Sequence, residues 1–200
     1  MQLQLSTKST LRVMLVDDNE SRADFVEGCL RHAGFEEILA VPCGRGLLLD
    51  ISNWTPDVIV IDMESPDRDL LESLSIVNDH NPTPIVMFSQ SQDSDYMQRA
   101  VEAGVSTYLV EGVQPETVRP IIEVAMMQFK SYQQLRQERD DARDELQQRR
   151  IIEKAKYALM KHEGFNEDEA YEEMRKLAMQ RNQKMADLAD AILSLEEGRD

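Results

Sequence analysis

The sequence has little of what marks secreted and membrane proteins. Its two cysteines, Cys29 and Cys43, are too few for a disulfide framework, and their spacing is not that of a metal site. The longest apolar runs, residues 13–16 and 58–61, are far shorter than the roughly 20 residues of a membrane-spanning helix. The N-terminus lacks the basic start and long apolar stretch of a secretory signal. These absences predict a cytoplasmic protein.

Catalytic patterns are also missing. The three histidines, His32, His80 and His162, are scattered along the chain, and no Ser/His/Asp or Cys/His arrangement indicates a hydrolase. Gly44 and Gly46 lack the spacing of a nucleotide-binding loop. The sequence therefore does not indicate an enzyme.

Acidic residues outnumber basic ones. The chain carries 38 Asp and Glu against 22 Lys and Arg, a net charge of −16, which argues against indiscriminate binding to nucleic acid or acidic membranes. The excess lies mainly in the first 148 residues, because residues 149–200 hold ten basic and twelve acidic residues. In that tail the charges form blocks, and residues 149–162 and 175–184 are basic. An acidic protein can therefore still present basic surface at its C-terminal end.

The first 120 or so residues alternate short apolar runs with amphipathic stretches, as βα units do. Near-continuous apolar strands are typical of a parallel sheet that is covered on both faces. We therefore predict an α/β, doubly wound, five-stranded parallel sheet in a domain spanning residues 10–120. The predicted strands are 11–16, 37–41, 57–62, 84–89 and 106–110, and the predicted helices are 20–32, 46–53, 68–79 and 94–103.

The chain changes character after this domain. Residues 121–159 contain neither Gly nor Pro, which predicts a long helix, with a linker and coiled coil over 121–148. A solvated single helix is the alternative. The heptad seam, which polar residues interrupt, consists of Ala125, Gln128, Tyr132, Leu135, Arg139, Ala142, Leu146 and Arg149.

Residues 149–195 predict a small all-α domain of three helices. Gly164 is expected to end the first helix, and Asn166 with Glu169 forms a capping-box pattern that starts the second. Asn182 is expected to cap the third.

Chemistry in the first domain is expected where the parallel strands end, because ligands of doubly wound sheets bind there. Asp17, Asp18, Asp62, Ser89 and Glu111 follow predicted strands. Converging carboxylates that repel one another are suited to a divalent cation such as Mg²⁺. An aspartate beside such a cation and a hydroxyl group can accept a phosphoryl group.

These residues stand in the order and spacing of a known family. Through VDDN at Asp17 and Asp18 and VIVIDMESP at Asp62, residues 10–125 resemble the receiver domain of two-component response regulators. The resemblance implies that Asp62 is the phosphoacceptor. It also implies that Asp18, Asp62 and the backbone carbonyl of Glu64 bind Mg²⁺, with Asp17 acting through water.

The switch residues follow the same pattern with one departure. Ser89 corresponds to the switch hydroxyl residue and Tyr108 to the switch aromatic residue. Receivers place a lysine three residues after that aromatic, and here the position is Glu111, followed by Gly112. Lysine to glutamate changes the local charge by two units and adds repulsion toward a phosphoryl group. The pocket keeps its acceptor, but its coupling cation is replaced by an anion.

The C-terminal residues resemble a second family, the ANTAR domain, an RNA-binding module of transcription antiterminators. The whole arrangement is similar to nitrate/nitrite and amidase antiterminators, and YLVEG is most like the nitrate-assimilation branch. The matching residues are Ala155, Lys156, Leu159, Met160, Ala170, Tyr171, Arg175, Ala178, Met179, Leu188, Ala189 and Ile192.

RNA loops are recognised by stacking of bases on aromatic rings and by Lys and Arg on the backbone. Tyr157 is offset from the apolar face of its helix, so we expect it to be exposed. Lys156, Tyr157, Arg175 and Arg181 are the strongest candidates. The full set of candidate RNA-binding residues is Arg150, Lys154, Lys156, Tyr157, Lys161, Arg175, Lys176, Arg181 and Lys184.

The sequence thus predicts an antitermination regulator that binds hairpins in nascent leader RNA and forms a homodimer through its long helix. The resemblance implies control by a nitrate-sensing protein that sequesters the regulator. Two alternatives remain: a phosphorylation-driven regulator acting on DNA, although no helix-turn-helix is evident, and a protein-interaction module without nucleic-acid binding.

Overall fold

The computed structural model describes residues 11–44, 46–63 and 68–197. The chain divides into two compact units, and the boundary falls after Tyr132, inside one long helix. No helix of the described residues is both long enough and apolar enough to cross a membrane. The strands are β1 (Arg12–Val16), β2 (Glu37–Val41), β3 (Val58–Asp62), β4 (Ile85–Phe88) and β5 (Thr107–Leu109). The helices are α1 (Glu20–His32), α2 (Leu47–Trp54), α3 (Arg68–His80), α4 (Ser94–Glu102), α5 (Val118–Glu163), α6 (Glu167–Arg181) and α7 (Met185–Glu197).

The N-terminal unit is a parallel five-stranded sheet in the order β2-β1-β3-β4-β5. Residues of α2, α3 and α4 pack on one set of strand side chains, and residues of α1 and α5 pack on the other. The central strands β1, β3 and β4 are almost wholly buried, as their continuous apolar sequences require. The predicted doubly wound sheet is confirmed.

The first turns of α5 belong to the core of the N-terminal unit. Val118, Ile122 and Ala125 are fully buried there and recur at the spacing of one helix face. The prediction that Ala125 lies on a coiled-coil seam is therefore wrong, because its methyl group already packs beside the sheet. The exposed residues of that seam begin further along α5, at Gln128.

The C-terminal unit contains the end of α5 together with α6 and α7. Its core is small and is built on Ala155, Met174, Ala178, Leu188 and Ala189. The three alanines let these helices approach one another closely. This packing agrees with the three predicted helical segments.

The ends of these helices follow from local side-chain chemistry. Gly164 has a φ of +73°, a left-handed conformation that ends α5, and Asn166 and Glu169 form the predicted capping box of α6. Asn182 has a φ of +50° and ends α6, whereas α7 begins at Met185. The prediction that Asn182 starts the third helix is therefore wrong, since asparagine also adopts the left-handed conformation that follows a helix.

Candidate functional site

Two candidate aspartates lie side by side where the central strands end. Strands β1 and β3 pair in parallel with Val16 opposite Ile61, so Asp17 and Asp62, the next residues, are neighbours at the carboxyl edge of the sheet. Asp17 is buried and Asp62 is half-buried. The strand geometry therefore brings together these two residues of the predicted pocket.

The Asp17 carboxylate is held by an arginine that sequence analysis did not single out. Arg22 donates from Nε to Oδ2 at 2.8 Å and from Nη2 to Oδ1 at 2.7 Å, and the backbone N–H of Asn19 donates to Oδ1 at 2.8 Å. Asn19 also caps α1 by accepting from the Arg22 backbone N–H at 3.0 Å, which fixes the turn that carries Arg22. A two-pronged pair of this kind is among the stronger charge-assisted contacts in proteins.

The neighbouring Asp18 is exposed and has a different partner. Its Oδ1 accepts from the Cys43 backbone N–H at 2.7 Å, which ties the end of β1 to the segment after β2. Glu64, the other predicted Mg²⁺ ligand, lies outside the described residues.

Receiver domains generally bind Mg²⁺ at this pocket. Here both oxygens of Asp17 already accept hydrogen bonds, and one oxygen of Asp18 does so too. Across residues 11–44, 46–63 and 68–197, no group of three His, Cys, Asp or Glu side chains is arranged to hold a metal ion. In this arrangement the Asp17 carboxylate is held by Arg22 and by the Asn19 backbone N–H.

The environment of Asp62 opposes its negative charge. Burial raises the pKa of the Asp62 carboxyl above its ordinary value of 3.8, the positive charge of Arg22 opposes that rise, and the negative charge of Asp17 adds to it. The charge of Arg22 thus acts on both aspartates of the pocket.

The predicted switch residues lie at the ends of β4 and β5. Ser89 is buried, and its Oγ accepts from the Ser91 backbone N–H at 3.2 Å. Half-buried Tyr108 donates its hydroxyl to the Ser91 carbonyl at 3.1 Å and stacks at a tilt beside Tyr96, with ring centroids 6.3 Å apart. Both switch residues are therefore linked to the loop before α4. Glu111, at the lysine position of receivers, is exposed.

The C-terminal unit presents exposed basic residues on one face of α5. Arg150, Lys154, Tyr157 and Lys161 are exposed and recur every three or four residues, so they follow one face of the helix; we call them the α5 stripe. Tyr157 is 69% exposed, as predicted. Within the part of the chain that the structure describes, none of the three cations is paired with a carboxylate.

Lys156 is placed differently from the α5 stripe. Its side chain is 9% exposed, and its Nζ lies 2.8 Å from a Glu153 oxygen and 2.9 Å from Glu167 Oε1. The ammonium group therefore binds the first turn of α6 to α5. This placement disagrees with the prediction that Lys156 contacts RNA, because its charge is already matched inside the unit.

The basic residues of α6 are mixed with acids. Arg175 lies 3.3 Å from Glu172, and Lys176 lies 3.7 Å from Glu173, each pair one turn apart and exposed. Arg181, in the last turn of α6, and Lys184, just before α7, are exposed as well. The α6 surface therefore offers less uncompensated positive charge than the α5 stripe.

Comparison with known families matches both units. Residues 13–123 match the response regulator receiver domain, and residues 140–193 match the ANTAR domain. The chain therefore belongs to the response regulators, with an ANTAR domain behind its receiver domain. This is a family of regulators and not of enzymes.

Similar proteins cover most or part of the chain. The transcriptional regulatory protein PdtaR of Mycobacterium tuberculosis is 28% identical over 183 residues, which cover 91% of this chain and 89% of that protein. The nitrate regulatory protein of Klebsiella oxytoca is 32% identical over 103 residues, covering 44% of this chain and 26% of that protein. The solved structure of the chemotaxis response regulator CheY4 of Vibrio cholerae covers 58% of this chain and 99% of its own, with 26% identity and a TM-score of 0.51.

Proposed function

We propose that this regulator binds hairpins in nascent leader RNA through its C-terminal unit and thereby prevents transcription termination. The observation that carries the proposal is the α5 stripe, in which an exposed tyrosine stands between unpaired cations on one helix face. The ANTAR match over residues 140–193 supports RNA as the ligand, because ANTAR domains bind RNA. The match to PdtaR over both units supports a role in transcription.

The α5 stripe suits an unpaired loop better than a duplex. The ring of Tyr157 offers a flat apolar surface on which a splayed-out base can stack. Arg150 and Lys154 precede the ring, and Lys161 follows it by one turn, where they can contact backbone phosphates on either side. Arg175, Lys176, Arg181 and Lys184 extend the proposed RNA-binding set onto α6 and the segment that follows it.

Control is proposed to pass through the receiver domain without ordinary phosphate switching. Asp62 is retained as the phosphoacceptor, with Ser89 and Tyr108 as switch residues, but Glu111 places a negative charge where a phosphoryl group needs a positive one. The name of the Klebsiella relative supports nitrate as the signal, sensed by a partner protein that sequesters the regulator. Exposed Leu135 and Leu146 on α5 support a homodimer through this helix.

The test uses the full chain and a fluorescent RNA pool that carries two short hairpins with randomised loops. Fluorescence anisotropy gives the affinity, and duplex DNA is the competitor. We expect the wild type to prefer RNA, Tyr157→Ala to weaken binding about fivefold or more, and the triple variant Arg150→Ala, Lys154→Ala, Lys161→Ala to weaken it further. A stacked base is worth about 1 to 3 kcal/mol by alanine substitution.

The matched control is Arg149→Ala. Arg149 is adjacent to the α5 stripe and exposed, but it points to a different side of α5 and pairs with Glu145 at 2.6 Å. We expect Arg149→Ala to bind RNA as the wild type does. Equal loss in Arg149→Ala and Tyr157→Ala would show that the stripe has no special role, and equal affinity for duplex DNA and RNA would favour a DNA-binding regulator.

A further inference from the structure

The acidic pocket of the receiver contains a cation supplied by the chain itself. The Asp17 side chain is 0% exposed, and a carboxylate removed from water in this way is stable only with hydrogen bonds and a partner of opposite charge. Arg22 provides both through its Nε and Nη2, and three-quarters of its own side chain is buried. The pair is therefore part of the folded pocket and not a loose surface contact.

The position of this pair places the guanidinium group beside the phosphoacceptor. Asp17 and Asp62 are neighbours across β1 and β3, and the capped first turn of α1 brings Arg22 over the same edge of the sheet. A metal ion bound by Asp62 would share this edge of the sheet with the Arg22 charge. It would also compete for the oxygens of Asp17, both of which Arg22 occupies.

We propose that Arg22 is the resident cation of the acidic pocket and competes there with divalent cations. The pocket then keeps its structure without a metal, and a metal binds only when the guanidinium group moves away. Coulomb's law gives the scale. A doubly charged ion about 6 Å from a guanidinium group loses roughly tenfold in affinity even at the dielectric constant of water. The coupling is reciprocal, so a bound metal weakens the contact between Arg22 and Asp17 by the same factor.

The test compares the full-length wild type with Arg22→Met, which keeps the length of the side chain and removes its charge. Isothermal titration calorimetry with MgCl₂ and electron paramagnetic resonance with MnCl₂ give the affinities. We expect Arg22→Met to bind both ions at least tenfold more tightly than the wild type. We also expect it to unfold at a lower temperature without metal and to recover when MgCl₂ is added.

The control variant is Arg31→Met in the last turn of the same helix, where Arg31 pairs with Glu27 at 2.7 Å on the surface. We expect it to bind Mn²⁺ as the wild type does. Arg22→Lys keeps the charge but loses the two-pronged contact, so its affinity should lie near that of the wild type. If Arg22→Met binds Mn²⁺ no more tightly than Arg31→Met, the proposed competition is wrong.

A measurement on the unmodified chain keeps the proposal testable if Arg22→Met does not fold. The Nε–H group of Arg22 is hydrogen-bonded inside the pocket and should give a distinct, slowly exchanging NMR signal. We expect Mg²⁺ to shift this signal or to broaden it as the pocket is saturated. Saturation with an unchanged Arg22 signal would contradict the proposal, because metal and guanidinium would then coexist.

Discussion

At the scale of single residues, Lys156 shows how a basic side chain can serve the core of a small helical domain. Its stem is buried beside Ala155, and its ammonium group joins Glu153 on its own helix to Glu167 in the first turn of α6. The hydrogen bonds that the Lys156 ammonium group donates to Glu153 and Glu167 raise the pKa of Lys156 above its ordinary value of 10.5. The contact positions α6 against α5 beneath the exposed basic stripe.

This contact gives the C-terminal unit a defined pH dependence. The Lys156 hydrogen bond and charge lower the pKa of Glu167 below its ordinary value of 4.5. Stability from this pair is therefore present above that value and is lost as the pH falls through the lower pKa of the folded state. We expect Glu167→Gln to lower the melting temperature at pH 7, and we expect this difference from the wild type to shrink as the pH falls below 4.5. Thermal unfolding monitored by circular dichroism measures these melting temperatures. The control is Asp168→Asn, which changes an exposed acid of the same turn. If the melting temperature of Glu167→Gln stayed as far below that of the wild type at low pH as at pH 7, the ion pair would be contradicted.

Two glycines of the receiver should respond oppositely to alanine. Gly104 has a φ of +101°, and a Cβ there would lie 2.7 Å from the Asn78 Cβ. Gly28 lies inside α1, and a Cβ there would meet nothing within 4 Å beyond its chain neighbours and the backbone of its own helix. We expect Gly104→Ala to lower the free energy of unfolding by about 2 to 4 kcal/mol through strain and crowding. Gly28→Ala should raise it by roughly 0.5 to 1 kcal/mol through helix propensity. Urea unfolding measures the free energy of unfolding of both variants. A lower value for Gly28→Ala would show that the space beside Gly28 is filled.

Residue patterns predicted the aspartates of the pocket but not its cation. Asp17 and Asp62 follow apolar runs, and parallel strands bring such ends together in any sheet of this order. Arg22 has no such signal, because whether a side chain in the first turn of a helix reaches back to the sheet depends on the angle at which the helix leaves the strand. The burial of Lys156 has no sequence signal for a similar reason, since it depends on where Glu167 and α6 pack.

At the scale of elements, the two ends of α6 use the same residue type for opposite purposes. Asn166 has an extended backbone and accepts from the Glu169 backbone N–H at 2.9 Å, whereas Asn182 has a φ of +50°. We expect Asn166→Ala to cost about 1 kcal/mol of unfolding free energy, because it removes the cap. Asn182→Gly should change it by less than about 0.5 kcal/mol, since glycine tolerates the left-handed conformation. Thermal and urea unfolding would contradict this assignment if both variants lost equal stability.

Helix α5 has different partners along its length. Its first turns complete the core of the receiver, its last turns complete the core of the ANTAR unit, and Leu135 and Leu146 between them are 62% and 58% exposed. The absence of Gly and Pro over residues 121–159 predicted the helix, but it did not predict where the helix begins. Val118 and Ile122 carry ordinary helical spacing, and only the packed sheet shows that they belong to the receiver.

The exposed leucines provide the test of self-association. If α5 forms a two-stranded coiled coil, Leu135→Glu with Leu146→Glu should convert a dimer into a monomer, because paired acids would face each other across the seam. Gln147→Glu with Gln148→Glu adds the same two charges at exposed positions outside the seam, so this control should remain dimeric. Sedimentation equilibrium measures the mass of each variant. A monomeric wild type would instead establish α5 as a solvated single helix.

At the scale of the whole molecule, an RNA-binding role must operate against a net charge of −16. Long-range attraction to a polyanion is then weak. Affinity has to come from short-range contacts on the α5 stripe and from stacking of bases on Tyr157. Net charge alone would have excluded nucleic acid as a ligand. The prediction of RNA came from the resemblance of the C-terminal residues to the ANTAR domain, and the grouping of basic residues in blocks is compatible with it. The structure adds that exposed basic residues of one block share one face of α5.

Salt dependence separates the two kinds of contact. Each phosphate neutralised on single-stranded RNA contributes about −0.7 to the slope of log affinity against log salt concentration. We therefore expect the triple variant Arg150→Ala, Lys154→Ala, Lys161→Ala to flatten the slope by roughly two. Tyr157→Ala should lower affinity at every salt concentration and leave the slope unchanged, because stacking releases no counterions. Anisotropy titrations of the hairpin pool across a range of KCl concentrations measure both the affinity and its salt dependence. If the triple variant had the same slope as the wild type, Arg150, Lys154 and Lys161 would lie away from the RNA backbone.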